Sequence, residues 1–371
     1  ERSVRLIDAK MNLGGQRTWL FHESDVSPAA LESLKPMISH SWDDATVHFP
    51  RTERKIDGQF HAIRSTEFSS SLKDMLGDDV LNLGVKANKI TDHTVTLEDG
   101  TEFHGKCVLD ARGAEELPPA ETNGFRKHVG YDITLEAPHE LTSPILMDAT
   151  CPQLDGLRFF RLIPWDETKL LIEETFYSDS PDLNLDRISK SVRAYVERRG
   201  WKIKTIEKEE RNVIPLPLTS ESIRVSVTGE PIPIGARAGY LHATTGDALP
   251  DAMRFAELIT KIPQNPKIPE FTTSTARDML SRLRRPWISR QRFYRLINRL
   301  LFQASEPSLR YTIFQSFYAL PEDTISRFTA GKTTWADRVR MLGGKSPVPL
   351  SVAMKHFSER SAAERAAVVK V

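Results

Sequence analysis

Short apolar runs alternate with longer helical patterns over the first two thirds of the chain. Residues 3–8, SVRLID, end in an acid and predict a short buried parallel strand. Residues 65–76 predict a helix, with Ser65 or Thr66 as its N-cap. An Asp-Gly pair at 99–100 lies between two strand-like segments and favours a hairpin turn.

A second group of strand-like segments lies within residues 125–180, and residues 184–200 then predict a helix with charged faces. Strand signals return near 232–250, before a long part with helical spacing from 251 to the end. This order predicts an α/β (α+β) chain in which a strand-rich lobe interrupts an α/β unit and a helical part follows.

Composition narrows the class of protein without identifying it. The 371 residues are 39% hydrophobic and 27% charged, which argues against a chain disordered throughout. The net charge of +1 provides no general attraction to nucleic acid. Cys107 and Cys151 have neither metal-ligand spacing nor a disulfide framework, so we expect no metal site and a reducing, cytoplasmic environment.

Two further expectations concern membrane spans and the start of the chain. No run of 18 apolar residues occurs, so no membrane span is predicted. The chain starts with Glu1 and almost directly in a strand. We therefore expect that a first strand, turn and helix of about 25 to 35 residues precede it in a longer protein.

Two adjacent carboxylates, Glu173 and Glu174, lie inside the strand-like segment LLIEETF. One interpretation is structural, with one acid in solvent and the other in a salt bridge; on the residues alone it is favoured about two to one. The other is chemical, with a carboxylic acid kept protonated by an apolar cavity and able to donate its proton. Because neighbouring strand residues point to opposite faces, only one of the two can enter such a cavity.

Three loops suggest a dinucleotide site. An acid at the end of a strand, such as Asp8, can accept ribose hydroxyls, although a structural acid is the commoner case. Glycine pairs allow close backbone approach to a diphosphate, and a glycine-rich loop before a helix favours an anion. Together they predict a flavin-binding domain built from distant segments. Its candidate residues are Asp8, Gly14, Gly15, Thr18, Trp19, Asp110, Arg112, Gly113, Gly235, Gly239, Thr245 and Gly246.

Four motifs carry a resemblance to a known family. They are GGQRTW (14–19), PILMDAT (144–150), LIEET (171–175) and LPEDTISRFTAGK (320–332). They resemble the lycopene cyclase family of flavoproteins, the bacterial β-cyclase branch in particular, over nearly the whole chain. Two departures are the missing GxGxxG unit and the loop at 242–247, where the family usually has HP followed by TGY.

The resemblance implies a fold and a reaction. The fold is a glutathione-reductase-like FAD-binding Rossmann domain with an inserted antiparallel-sheet substrate lobe and a helical C-terminal part. The enzyme converts lycopene to γ-carotene and then β-carotene without net redox change. It needs FAD in reduced form, with NAD(P)H as the reductant. Glu173 is the implied catalytic acid, and Glu174 is its more variable partner.

The predicted domain boundaries follow from the order of the segments and the fold that the resemblance implies. We predict FAD-binding segments at 1–120 and 221–265, a β-rich lobe at 121–220 and a helical region at 266–371. Within 282–302, seven arginines alternate with apolar and aromatic residues. A helix packed on the core explains this about as well as one in a membrane interface. Because lycopene does not dissolve in water, we predict a membrane-interface helix at 286–302 and peripheral attachment to the cell membrane.

Two other functions remain open on the sequence. A flavin monooxygenase or a prenyl reductase could use the same scaffold and would need no buried proton donor at Glu173. A non-catalytic protein that carries a carotenoid would need no flavin.

Overall fold

The structure is a computed structural model, and it describes residues 3–113, 117–220, 228–261, 270–343 and 350–359. Its strands are β1 (Leu6–Asp8), β2 (Thr18–His22), β3 (His40–Phe49), β4 (Thr52–Arg64), β5 (Leu81–Leu83), β6 (Ala87–Ile90), β7 (Thr94–Leu97), β8 (Glu102–His104), β9 (Leu109–Asp110), β10 (Asn123–Leu135), β11 (Ile145–Asp148), β12 (Leu157–Pro164), β13 (Lys169–Ser178), β14 (Ile203–Pro217) and β15 (Ile232–Pro233). Its helices are α1 (Pro28–Leu34), α2 (Ser65–Leu76), α3 (Leu185–Arg198), α4 (Leu249–Lys261), α5 (Thr273–Phe302), α6 (Tyr311–Phe317), α7 (Glu322–Thr329), α8 (Trp335–Gly343) and α9 (Leu350–Lys355).

An eight-stranded sheet with the order β14-β10-β13-β12-β11-β3-β4-β2 forms the centre of the molecule. Its neighbours pair antiparallel except for β11 with β3. One face packs on α3 through residues such as Val129, Phe160 and Val192. The opposite face packs on α5 and α6, with Phe159, Tyr177 and Leu301 among the buried residues. The sheet unites strands from 18–64 with strands from 123–217, so it crosses the predicted boundary at 120.

Smaller strand groups flank this sheet. β1 pairs in parallel with β5, which confirms the parallel strand predicted within residues 3–8, although β1 is only half-buried. β15 pairs in parallel with β9. β6, β7 and β8 form an antiparallel unit, and the predicted turn at 99–100 joins β7 to β8. Gly100 has a φ of 87° there. A side chain is strained at such an angle, so glycine suits the turn.

The predicted helices at 65–76 and 184–200 are confirmed as α2 and α3. The predicted cap of α2 is wrong, because Ser65 is already the first helical residue and Arg64 occupies the N-cap without a side-chain hydrogen bond. α3 instead has a side-chain cap, since Asn184 accepts a hydrogen bond from the backbone N–H of Arg187. Among the residues that the structure describes, no helix combines the length and apolarity needed to cross a bilayer.

The prediction of a membrane-interface helix at 286–302 is wrong, because the protein itself covers this part of α5. Tyr294 and Leu301 are fully buried, and so are the side chains of Arg295 and Arg299. Arg295 pairs with Glu359, and Arg299 donates to backbone carbonyls of neighbouring segments. Neither the apolar face nor these arginines are available to lipid, so the alternative of a helix packed on the core is the correct one.

Candidate active-site cavity

A cavity of about 480 Å³ lies between the sheet and the C-terminal helices. Most of its wall is apolar and comes from β11, β12, β14 and helices α5 to α8. The apolar lining includes Leu146, Met147, Phe159, Ile214, Ile297, Leu300, Leu301, Ile313, Phe314, Phe317, Leu320, Phe328, Met341 and Leu342. A polar patch on the sheet contains Arg126, His128, Arg161, Glu173 and Asn212. The arrangement suits a long apolar ligand with one end at charged groups.

Strand register brings this polar patch together. Glu173 on β13 lies opposite Gly130 on β10 and opposite Arg161 on β12. His128 and Arg126 lie two and four residues before Gly130 on β10, so their side chains share the face of the sheet that carries Glu173. None of these pairings is visible from spacing in the sequence.

Glu173 lies at the cavity wall and is 2% exposed. Thr175 Oγ1 donates a hydrogen bond of 2.5 Å to Glu173 Oε1, and Arg161 Nη1 lies 3.5 Å from the same oxygen. Its other oxygen, Oε2, is 3.7 Å from His128 Nε2. The carboxylate is therefore close to a hydroxyl donor, an imidazole and a guanidinium.

The expectation of a raised pKa at Glu173 is wrong for this structure. Burial alone would raise the pKa of Glu173, but His128, Arg161 and Arg126 outweigh it and lower that pKa to about 2. Burial lowers the pKa of His128 to about 4, so this ring is neutral at pH 7. The two arginines are thus the charges that keep Glu173 ionised at neutral pH.

Glu174 points to the other face of β13, as strand alternation predicted. It is 1% exposed and accepts a hydrogen bond from Arg158 Nε, while Arg158 also contacts Ser191 of α3. Glu174 is therefore the structural acid, held in a salt bridge, whereas Glu173 is the acid that enters the cavity.

Glu210 is a third buried carboxyl near this patch, and sequence reasoning missed it. It is 2% exposed, and Thr18 Oγ1 donates a hydrogen bond of 3.3 Å to its Oε2. Lys208 Nζ lies 3.7 Å from the same oxygen. Burial and the charge of Glu173 raise the pKa of Glu210 to about 7. Only the strand register, which no motif reports, could have revealed this residue.

The predicted cofactor residues fall into two groups. Thr18, Trp19, Thr245 and Gly246 line the cavity. The others lie outside it, on the loops after β1 and β9 and around the short turn that precedes α4; they are Asp8, Gly14, Gly15, Asp110, Arg112, Gly113, Gly235 and Gly239. The predicted loop before a helix is confirmed, since α4 begins at Leu249.

Three glycine turns in the loops outside the cavity leave open space beside the backbone. Gly15, Gly113 and Gly235 have φ angles of 71°, 85° and 55°, and a Cβ added at any of them would meet nothing within 4 Å. Asp8 accepts a local hydrogen bond from the N–H of Lys10. Asp110 is held differently, by hydrogen bonds from Arg112 and a salt bridge to Arg237. The open glycine turns fit close approach of a dinucleotide, whereas Asp110 orients its own loop.

One buried arginine connects the loop before α4 to the polar patch on the sheet. Arg126 Nη1 donates to the carbonyl of Thr245 at 2.6 Å and to Asp247 at 3.0 Å. Asp247 follows Gly246 directly and also lines the cavity. The loop before α4 is thereby attached to the polar patch on the sheet, and Arg126 and Asp247 are site residues that the candidate set lacked.

Comparisons with known proteins agree with this architecture. Residues 1–355 match a family model described as "Lycopene cyclase protein". The lycopene beta-cyclase of Pseudescherichia vulneris is 34% identical over 365 residues, covering 96% of this chain and 92% of that protein. Klebsiella pneumoniae HpxO, solved with FAD and uric acid, has a TM-score of 0.58 at 13% identity and covers 89% of this chain and 88% of its own. A geranylgeranyl bacteriochlorophyll reductase-like protein from Thermoplasma acidophilum has a TM-score of 0.53 at 9% identity, over 98% of this chain and 92% of its own. These two structures are evidence for the fold alone, and they confirm the predicted mixed α/β class with a large sheet and a helical C-terminal part.

Proposed function

The chain belongs to the lycopene cyclase family, and we propose that it closes the ends of lycopene into β-ionone rings by acid catalysis. The observation that carries this proposal is the cavity, whose wall is mostly apolar and includes the buried carboxyl of Glu173 on the central sheet. A linear hydrocarbon offers no polar group to bind, so apolar walls must hold it.

The reaction is an isomerisation. A proton adds to the terminal double bond, and the neighbouring double bond attacks the resulting tertiary cation. A proton then leaves the new ring, so no electrons are gained or lost. We assign Glu173 as the group that exchanges protons with the substrate, because it lines the cavity and lies in the LIEET motif, where the family resemblance implies the catalytic acid. The other carboxyls in the lining, Asp25 and Asp247, lie outside that motif. Its ionised form, held by Arg161 and Arg126, suits removal of the ring proton and attraction of the cation.

We further propose that the enzyme uses FAD. The open glycine turns at Gly15, Gly113 and Gly235 allow the diphosphate of FAD to come close to the backbone, and Asp8 would accept hydrogen bonds from the ribose hydroxyls. When bound and kept reduced by NAD(P)H, the flavin supplies an electron-rich surface that stabilises a developing cation. Flavin absorbance in the purified protein tests the first part, and anaerobic reduction by NADH or NADPH tests the second; a colourless, flavin-free protein would refute this proposal.

Peripheral attachment to the cytoplasmic side of the cell membrane is also proposed, although helix 286–302 does not provide it. The support is chemical, since a water-insoluble substrate must be collected from a bilayer. Exposed apolar side chains near the C-terminal helices, such as Trp335 and Leu309, offer contact points. Co-sedimentation with lipid vesicles tests this, and protein that stays in the supernatant with and without anionic lipid would refute it.

The central experiment is pigment analysis in cells that accumulate lycopene. We expect the unaltered protein to convert red lycopene to β-carotene and Glu173→Gln to leave lycopene unchanged, a loss of at least about 100-fold. Glutamine keeps the size of the side chain but cannot exchange the proton. Cyclisation by both proteins would move the proton exchange to another residue. Absence of cyclisation by the unaltered protein, with flavin bound, would favour the redox enzymes on this scaffold.

A further inference from the structure

Two buried carboxyls face each other across a single glycine. Gly130 on β10 pairs with Glu173 on β13 and with Glu210 on β14. The three residues therefore form one row across three adjacent strands, and paired residues in such a row direct their side chains to the same face of the sheet.

The absent side chain of Gly130 creates the space between the two acids. A Cβ at Gly130 would lie 3.0 Å from Glu210 Cγ and 3.1 Å from Leu171 Cδ1. Glu210 thus occupies the volume above Gly130 that any other residue would fill. Carboxylate oxygens of Glu210 and Glu173 and a ring nitrogen of His128 come within 4.8 Å of one another.

The cluster also has unused hydrogen-bonding capacity. Glu210 Oε1 and His128 Nδ1 are both buried and have no hydrogen-bond partner among the described residues. A buried polar atom without a hydrogen-bond partner costs free energy, so its presence calls for an explanation such as a functional role. Glu210 does not line the cavity, whereas Glu173 and His128 do.

We propose that Glu210 holds the proton used for cyclisation and supplies it to Glu173 across Gly130, with His128 beside the path. This inference rests on the proposed function. The proton leaves the Glu210 carboxyl for the Glu173 carboxylate and then adds to the CH carbon of the terminal double bond, which leaves the tertiary cation on the adjacent carbon. The proton lost by the ring returns to Glu173 and then to Glu210, so no external acid is consumed. Glu210 is therefore a proton-supplying residue that acts through Glu173.

The charges around Glu210 agree with this role. Arg17 and Thr18 face it from the segment leading into β2, and Lys208 faces it from its own strand. Burial raises the pKa of Glu210, and the charges of Glu173 and Asp132 raise it further, to about 7. Glu210 can therefore hold the proton at rest near neutral pH, whereas Glu173, beside two arginines, is ionised at rest and carries the proton only during transfer. Two close carboxyls that share one proton are a known arrangement for acid chemistry.

A bound cation is the competing use of His128, Glu173 and Glu210. Arg126, Arg161 and Lys208 already bring positive charge to the same carboxylates. A divalent ion would be repelled by these three side chains, so a proton fits the cluster better.

The test is the pH profile of cyclisation by the flavin-loaded enzyme on lycopene in vesicles. Because a proton on Glu210 is required, we expect the rate of the unaltered enzyme to fall as pH rises through about 7. Glu210→Gln should be at least about 10-fold slower, and its rate should not fall as pH rises through about 7. Glu209→Gln, an exposed neighbour on the same strand, is the matched control and should behave like the unaltered enzyme.

A second readout does not need turnover. Infrared spectra should contain a carboxylic-acid band that disappears with a midpoint near pH 7 and is missing in Glu210→Gln. In Glu173→Gln the midpoint should move to lower pH, because the repelling charge is gone. Gly130→Ala should displace Glu210 and shift the same midpoint.

Each outcome decides between the interpretations. An unchanged pH profile in Glu210→Gln, or an infrared band that this substitution does not remove, would overturn the proposal and leave the cyclase function intact. Activity that is lost on chelation and restored by a divalent metal would assign the cluster to a cation instead. Failure of the unaltered enzyme to cyclise lycopene would overturn the proposed function itself, which the infrared measurement does not depend on.

Discussion

Glu173 and Glu174 are adjacent in the chain, yet their surroundings assign them different tasks. Glu173 faces the cavity beside Arg161 and His128, and Glu174 is paired with Arg158 beneath α3. The same residue type thus has two roles because the faces of one strand meet different layers of the molecule. Substitutions at the two positions should consequently fail in different ways.

We expect Glu174→Gln to reduce stability rather than chemistry. Arg158 is 8% exposed, and without the carboxylate its charge would be buried without its ionic partner. The cost should be about 3 kcal/mol in the free energy of unfolding. Urea unfolding measures this loss, while the folded fraction should still cyclise lycopene. Loss of cyclisation with unchanged unfolding would instead transfer the acid role to Glu174.

At the scale of elements, α5 shows how a basic helix can be a core helix. Arg299 donates to the backbone carbonyls of Leu218, His356 and Phe357, and thereby connects α5 to the segment after β14 and to the end of the described chain. These carbonyls lie at ends of elements, where the backbone lacks partners of its own. The arginines of this helix therefore serve as internal donors and not as contacts to lipid headgroups.

Arg299→Met tests this role of α5 in the absence of lipid. Methionine keeps the apolar stem but leaves the three carbonyls without that donor, so unfolding should become easier by about 3 kcal/mol. Arg292→Met is the control on the same helix, and because Arg292 is exposed its effect should stay within about 0.5 kcal/mol. Equal stability of both variants, together with weaker vesicle binding of Arg299→Met, would restore the membrane-interface interpretation.

At the scale of the whole molecule, the cavity is built from segments far apart in the chain. Its polar patch comes from β10, β12, β13 and β14, and much of its apolar wall comes from helices later in the chain, including Ile313 of α6 and Met341 of α8. A hydrocarbon substrate would contact both parts at once, so binding and chemistry should be separable by substitutions in the two parts.

Ile313→Trp should impair binding more than the chemical step. The larger ring takes up space at the helical wall of the cavity, and a loss of about 1.4 kcal/mol in binding would raise KM roughly 10-fold. Ile313→Leu keeps the volume and should leave KM nearly unchanged. Steady-state kinetics on lycopene in vesicles separates KM from kcat. If kcat falls and KM does not, the substrate does not extend to α6.

Much of the fold could be predicted from local patterns. The helices at 65–76 and 184–200, the turn at 99–100 and the strand that carries Glu173 and Glu174 all appear where the sequence predicts them. Hydrophobic period, turn residues and strand alternation act over a few residues, and this is why they are readable in one chain. The opposite orientation of the two acids followed from alternation alone. The assignments of Asp8 and the glycine loops to a cofactor stay predictions.

Tertiary structure decided the chemistry of the site. The sequence determined that only one of the two adjacent acids could enter a cavity, but the ionised state of Glu173 depends on Arg161 and Arg126 of neighbouring strands. Glu210 and Gly130 became part of the site only through the register of β10 with β13 and β14. The burial of α5 likewise depended on what packs against it. The physical reason is common to all three, because charge, register and burial are properties of pairs of residues that are distant in the chain and meet only when it folds.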